Sequence, residues 1–269
     1  MIAVLGIDAA WTERNASGYA LAEKHAGRWR LRVAAPNLQK FAEECGLGGE
    51  EGQGADFALR CAEHALGGRL PDLVAVDMPL SRKKIERRRK SDDAISQRFG
   101  AAKCATHSPS KDRPGDVSAK LRAACEARDY VLVTSPPVSA ARSLAEVYPH
   151  PALLRLMKVD ERVRYKVNKT TAYWREQKNP EVRLSLLKET LSSIAGALDT
   201  VIAGTRRELG RQFDFESAKG FSALKPLEDT IDAIISAWVG TTILEGAAEP
   251  FGGDDSAIWV PKETRAKLH

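Results

Sequence analysis

The sequence is short of the features that would classify it at once. It has no Cys-x-x-Cys pair, and its four cysteines, Cys45, Cys61, Cys104 and Cys125, are scattered with no histidine at zinc-site spacing. Reduced, partly buried thiols are expected in place of a disulfide framework or a zinc knot. No apolar run approaches the ~20 residues that cross a bilayer. The opening Met1-Ile2-Ala3-Val4-Leu5-Gly6-Ile7-Asp8 has neither the basic start nor the long apolar stretch of a secretory leader. These absences point to a cytoplasmic protein without membrane contact. Strong charge imbalance is missing as well: a net charge of +5 over 269 residues permits a polyanionic partner and does not demand one. There is no internal repeat and no low-complexity linker, and no Gly-x-Ser-x-Gly elbow surrounds His107 and Ser108.

What is present is ordinary globular composition, 43% hydrophobic and 29% charged, which excludes a mainly disordered chain. The expected class is α/β, as one domain over 1–269 with a helical insertion at about 150–220. Ile2 to Asp8 is a β-branched, apolar run that reads as a buried strand ending on an acid. Gly18 to Glu23 and Trp29 to Ala34 read as the next two strands of an antiparallel meander. A short helix around Phe41 and a second from Ala55 to Leu66 precede Leu73 to Asp77, another buried strand that ends on an acid and is stopped by Pro79. Arg82 to Phe99 is polar and helix-friendly, Ala101 to Asp116 is a loop, and Val117 to Arg128 is a helix. Tyr130 to Thr134 and Leu144 to Tyr148 are strand patterns, the second carrying Glu146. Later come helices over Pro180 to Leu198, Thr200 to Leu209 and Leu227 to Leu244, then a last strand at Ala257 to Val260.

The acids carry the chemistry. If the strands ending in Asp8 and Asp77 are adjacent and parallel, both carboxylates emerge at the carboxyl edge of the sheet, where open α/β folds bind ligands. Glu146 approaches the same edge, and Asp232 lies between Ile231 and Ile235, close to the apolar face of its helix. Asp229, three residues earlier, competes with Asp232 for the inner position. Each acid alone has a structural explanation as a turn former or helix cap. Convergence of several would require compensation, since buried charge must be paired or must hold metal. Oxygen-only ligands select Mg²⁺ or Mn²⁺, and two such ions about 3.5–4 Å apart clamp the attacking and leaving oxygens of a phosphodiester.

The wording around these acids adds a resemblance. Gly6-Ile7-Asp8-Ala9-Ala10-Trp11, Val76-Asp77-Met78-Pro79-Leu80, Glu146-Val147-Tyr148-Pro149-His150 and Asp232-Ala233-Ile234-Ile235-Ser236-Ala237 occur in this order, with Ile258-Trp259-Val260-Pro261 near the end. The arrangement resembles domain-of-unknown-function family 429, described as predicted nucleases of RNase H-like fold, over nearly the whole chain. The resemblance implies an RNase H-like mixed sheet, an antiparallel three-strand meander followed by parallel strands and flanked by helices, with a helical elaboration in the later half. It implies Asp8, Asp77, Glu146 and Asp232 as catalytic metal ligands, with Glu146 as a further ligand or a water-orienting group.

Arg82 to Lys90 holds seven basic side chains just after the Asp77 strand. Arg82, Lys83, Lys84, Arg87 and Arg88, with Lys166 farther on, are the candidate contacts to a nucleic-acid backbone, DNA or RNA; a solvated surface is the plain alternative. Asp92 is expected to pair with the neighbouring arginines, and His150 either to orient Glu146 or to cap the helix after it. Trp11 is kept open as a base-stacking ring. The leading expectation is a Mg²⁺- or Mn²⁺-dependent nuclease. The alternatives are a catalytically inactive nucleic-acid-binding or scaffold protein and an ATP-dependent phosphotransferase; against the last, Asp8 is followed by Ala9-Ala10-Trp11 and not by a glycine- and Ser/Thr-bearing phosphate loop.

Overall fold

The sheet is built around the first strand. In the computed structural model, which describes residues 2–12, 15–138 and 142–263, β1 (Ile2–Asp8) runs antiparallel to β2 (Gly18–His25), which is followed by β3 (Arg28–Ala35). On its other side β1 pairs in parallel with β4 (Leu73–Val76), β4 with β6 (Ser143–Val147), and β6 with β8 (Ser256–Pro261). The short β5 (Val131–Leu132) borders the first half of β6, and β7 (Ala248–Gly253) closes the sheet antiparallel to β8. The eight strands thus form a mixed sheet in the order β3-β2-β1-β4-β6-β8-β7, with β5 beside β6. The antiparallel meander followed by parallel strands is as the sequence pattern leads one to expect.

Helices cover both faces. Because side chains alternate along a strand, Leu5, Ile7, Val74, Val76 and Leu144 pack on one side with α1 (Leu38–Glu44) and α2 (Gly54–Ala65). Val4, Leu73, Ala75, Ala145 and Val147 face the other way, toward α9 (Lys225–Leu244). Behind α9 lie α5 (Pro149–Met157), α7 (Pro180–Val201) and α8 (Thr205–Gln212), the helical elaboration expected of the later half. Among the described residues the remaining helices are α3 (Lys90–Phe99), α4 (Asp116–Glu126) and the single turn α6 (Thr170–Tyr173). No helix there is long and apolar enough to cross a membrane, and all four cysteines are free and buried.

One expectation fails and one strand goes unanticipated, each for an identifiable reason. The helix anticipated over Arg82 to Phe99 starts only at Lys90. Residues 82–89 are held out of helical geometry at both ends: the Arg82 amide donates to the Asp255 carbonyl at 2.9 Å and its guanidinium to the Leu132 carbonyl at 3.0 Å. At the other end the Arg89 side chain is buried, and the Arg89 amide donates to the Asp92 carboxylate at 2.9 Å, which opens α3. Strand β7 is unanticipated because Ala248-Glu249-Pro250-Phe251-Gly252-Gly253 is poor in strand formers; Pro250 is tolerated since β7 is the sheet edge.

The contact that positions the site is the seating of α9 on β1 and β2. A Cβ on Gly6 would stand 2.3 Å from the Ala233 carbonyl oxygen and from the Ala237 amide, and one on Gly18 would stand 2.3 Å from the Asp229 carbonyl oxygen. Only glycine lets the helix backbone come this close. Gly6 is two residues from Asp8, and Ala233 adjoins Asp232, so the same contact sets the separation of the two acids. We expect Gly6→Ala to cost at least the ~1–3 kcal/mol typical of overpacking, since helix backbone and not a flexible side chain must give way. A urea titration with an unchanged midpoint would contradict this account of the interface.

Candidate active site

The register of the parallel strands decides which acids meet. Ile7 pairs with Val76, so the next positions, Asp8 and Asp77, stand side by side at the carboxyl edge, where the Asp77 amide donates to the Ile7 carbonyl at 2.9 Å. Asp8 continues the alternation of Val4 and Gly6, and Asp77 that of Leu73 and Ala75, so both carboxylates lie on the α9 side. Asp232 on α9 is wholly buried. Its two oxygens accept from the Tyr165 hydroxyl at 2.5 Å and from the Lys166 ammonium. Tyr165 and Lys166 come from the segment that leads out of α5, and that segment is pinned to α9 by the Val167 amide, which donates to Glu228 at 2.5 Å.

The electrostatics are those of too much negative charge in too little water. Asp8 and Asp77 keep some exposed surface, yet burial pushes the Asp8 carboxyl well above its usual range, with repulsion from Asp232 next and then from Asp77 and Asp229, against the pull of Lys166. Burial likewise raises Asp77 to about 7, opposed by Lys166 and reinforced by Asp232 and Glu146. Asp232 is raised by burial, despite Lys166. For Lys166 the cost of burial is outweighed by Asp232, Tyr165, Glu228 and Asp8, which hold its ammonium charged. One turn away Lys225 contacts Glu228 at 2.8 Å and Asp229 at 2.5 Å. Five carboxylates, Asp8, Asp77, Glu228, Asp229 and Asp232, therefore face two ammonium groups. Asp232 is the inner helix acid, and Asp229 belongs to Lys225.

Glu146 does not join them. It pairs in register with Val76 and shares the face of Leu144, opposite to Asp8 and Asp77. There Arg89 grips it with two bonds of 2.6 and 2.7 Å, and the Leu80 amide donates to it at 2.8 Å. The same guanidinium reaches Asp92 at 2.8 and 3.0 Å and the Leu80 carbonyl at 2.8 Å. Burial opposes the Arg89 charge, but Glu146 and Asp92 more than offset it. This buried network fixes the turn after Asp77, with Asp92 paired to an arginine as expected. His150 does not orient Glu146: it lies in the first turn of α5, bonded through Nε2 to Arg162 and packed edge-on against Tyr148 and Tyr165.

The basic candidates spread out. Lys83 pairs with Asp255 at 2.8 Å, and Arg88 binds Asp93, Ser96 and Ser108. Lys84 and Arg87 project as exposed side chains, as do His107 and Ser108, whereas Lys166 is drawn in among the acids. Trp11 is half-buried beneath the Arg113 guanidinium, 5.8 Å from its ring centre. A cavity of about 830 Å³ lies on the other face, between Ile7, Tyr19, α2 and α4, and none of the site acids lines it. Sequence reading missed Arg89 and Arg162; one stands in a run of basic residues and the other in a polar loop, and no local pattern distinguishes either.

Opposite behaviours are expected of the two acid groups. Glu146→Gln leaves Arg89 with Asp92 as its one remaining carboxylate partner and should cost about 1.5–3 kcal/mol, the worth of a charge-assisted hydrogen bond. Asp8→Asn relieves repulsion and should leave metal-free stability unchanged or raised, and equal losses in urea would refute the distinction. The pH dependence follows. The folded state holds a proton on Asp77 up to about 7 that the unfolded chain has already released. Its contribution to stability is therefore complete below the ordinary aspartate value and fades as pH rises through 7. Asp77→Asn should flatten this decline in thermal melts made without metal.

Residues 6–257 match the family model described as "Protein of unknown function (DUF429)". No curated protein and no solved structure matches the chain.

Proposed function

The chain belongs to the DUF429 family, and we propose that it is a metal-dependent hydrolase of phosphodiester bonds in nucleic acid, on an RNase H-like fold. The observation that carries this reading is the charge deficit around Asp8, Asp77 and Asp232. The donor set fits a hard divalent cation: it offers carboxylate oxygen only, and its surplus negative charge calls for either protons or Mg²⁺ or Mn²⁺. Among the described residues no three His, Cys, Asp or Glu side chains already stand where they would hold an ion. Asp8 and Asp77 are accordingly the principal ligands in this reading, and Asp232 takes part when Lys166 gives up its oxygen.

A bound divalent ion supplies a Lewis acid and a water of lowered pKa. The rest is work for the chain's own groups. Lys166, freed from Asp232, places an ammonium where charge gathers on the phosphoryl oxygens. Glu146 acts at one remove: clamped by Arg89, it holds the Leu80 amide and so fixes the Met78-Pro79-Leu80 turn that carries Asp77. Lys84 and Arg87 offer exposed cationic contacts to a phosphate backbone, for which a fall in affinity with rising salt is the signature. A cytoplasmic location goes with this reading, since it keeps the four thiols reduced.

We expect Asp8→Asn to abolish Mn²⁺-dependent cleavage of DNA or RNA while its melting profile stays cooperative; undiminished hydrolysis would count decisively against the scheme. One observation favours a rival, a nucleic-acid-binding protein without turnover: Tyr165 and Lys166 already engage both oxygens of Asp232. Salt-sensitive binding with no hydrolysis in either Mg²⁺ or Mn²⁺ would identify it.

A further inference from the structure

The carboxyl edge of the sheet has two faces, and the acids use one of them. On the other face the cavity of about 830 Å³ opens along the same edge. Ile7, Ala9 and Met78 border it from the sheet, and Ala9 and Met78 directly follow Asp8 and Asp77. The loop into β2, the first turns of α1 and α2, and one side of α4 complete the walls. That loop is tied down by the Ala10 amide, which donates to Ser17 Oγ at 3.0 Å. The volume falls inside the ~300–1,000 Å³ typical of small-molecule sites.

The lining is part apolar and part polar, with little charge. Ile7, Met78, Val117 and Leu121 supply hydrocarbon and thioether surface. Thr12, Asn15, Gln39 and Gln53 supply hydroxyl and amide groups, each of which can both donate and accept. Gln53 stands at the start of α2 with no capping bond from its side chain, so its amide is not spent on the helix. Gln39 makes only long bonds of 3.4 Å. Among the described residues that line the cavity, Asp56 and Lys120 alone are charged, one of each sign, and Arg128 holds Asp56 at 3.0 Å. A phosphate or a metal ion finds no surplus of opposite charge here. A flat, uncharged ring with a polar edge finds both kinds of surface that it needs.

We infer that this cavity is a binding site for a nucleobase of the substrate strand. An unstacked base is read by hydrogen bonds to its edge while apolar side chains enclose its faces. For the bearer of the base the inference rests on the phosphodiesterase reading. A strand crossing the sheet edge sets a phosphate over Asp8 and Asp77 and turns the adjoining base past Ala9 and Met78 to the opposite face. Seated there, the base positions the scissile bond and makes cleavage depend on its identity. The base pocket itself does not require that any bond be cut.

The test uses the full chain in EDTA, titrated with the common ribo- and deoxyribonucleosides and, as a ring without a base's edge, with phenol; saturation-transfer NMR and calorimetry read the binding. At least one nucleoside is expected to bind about tenfold or more tightly than phenol. Ala124 borders the cavity from α4, and Ala124→Phe, which fills it, should weaken nucleoside binding about tenfold or more. Gln53→Ala, at an exposed position, should weaken it about threefold to tenfold, the loss of one hydrogen bond. Asp8→Asn should leave nucleoside affinity unchanged, because that carboxylate lies on the other face. Absence of nucleoside binding, equal affinity for phenol, or undiminished affinity in Ala124→Phe overturns the inference; if Ala124→Phe does not melt cooperatively, Gln53→Ala decides in its place. Nucleoside binding without any hydrolysis of DNA or RNA would retire the enzymatic reading and leave the pocket standing. Hydrolysis whose KM is the same in Ala124→Phe would keep the enzyme and reject the pocket.

Discussion

The arrangement depends on negative charge that the fold brings together and does not fully compensate. Gly6 and Gly18 admit the backbone of α9 against β1 and β2. The strand register places Asp8 beside Asp77, and the helix delivers Asp232 to the same edge. Water is scarce there, so the acids repel one another and hold their protons to unusually high pH. One internal ammonium, Lys166, offsets part of the excess. A protein selected for stability alone would replace such residues by neutral ones, because unpaired buried charge is among the costlier things a fold can carry. In the proposed reading these acids serve to hold a cation.

Arg89 and Arg162 do different work. Arg89 is fully engaged with two carboxylates and a carbonyl, so it is a clamp. It ties the basic segment after Asp77 to β6 and thereby fixes the turn above the acids. Arg162 is half-buried and bonds the His150 ring. A satisfied network rigidifies. Lys166 is paired with Asp232 and still partly exposed.

Much of this was legible in the sequence. The strands ending in Asp8 and Asp77, the meander, the apolar helix carrying Asp232 and the family motifs all lie where the pattern puts them, because each is a strongly periodic or sharply bounded segment. The face occupied by Glu146 was not legible. A parallel strand buried on both sides reads as a continuous apolar run with no alternation to reveal its orientation; Leu144 and Ala145 are equally buried, and only the pairing of Glu146 with Val76 tells them apart. The segment Arg82 to Arg89 escaped for a related reason. Its local preference is helical, but its conformation is set by partners as distant in sequence as Glu146 and Asp255. The choice between Asp229 and Asp232 likewise turned on Lys225 and Lys166, which helix periodicity does not contain.

Crystals soaked in Mn²⁺ and measured at its absorption edge put the charge-deficit account most directly at risk. The account requires an anomalous peak within coordination distance of both the Asp8 and the Asp77 carboxylates, with the Lys166 ammonium withdrawn from Asp232 if that acid also ligates. A saturating soak that leaves no peak there, with Lys166 still seated on Asp232, would mean that protons alone balance the acids, and the case for a metal-dependent site would fall.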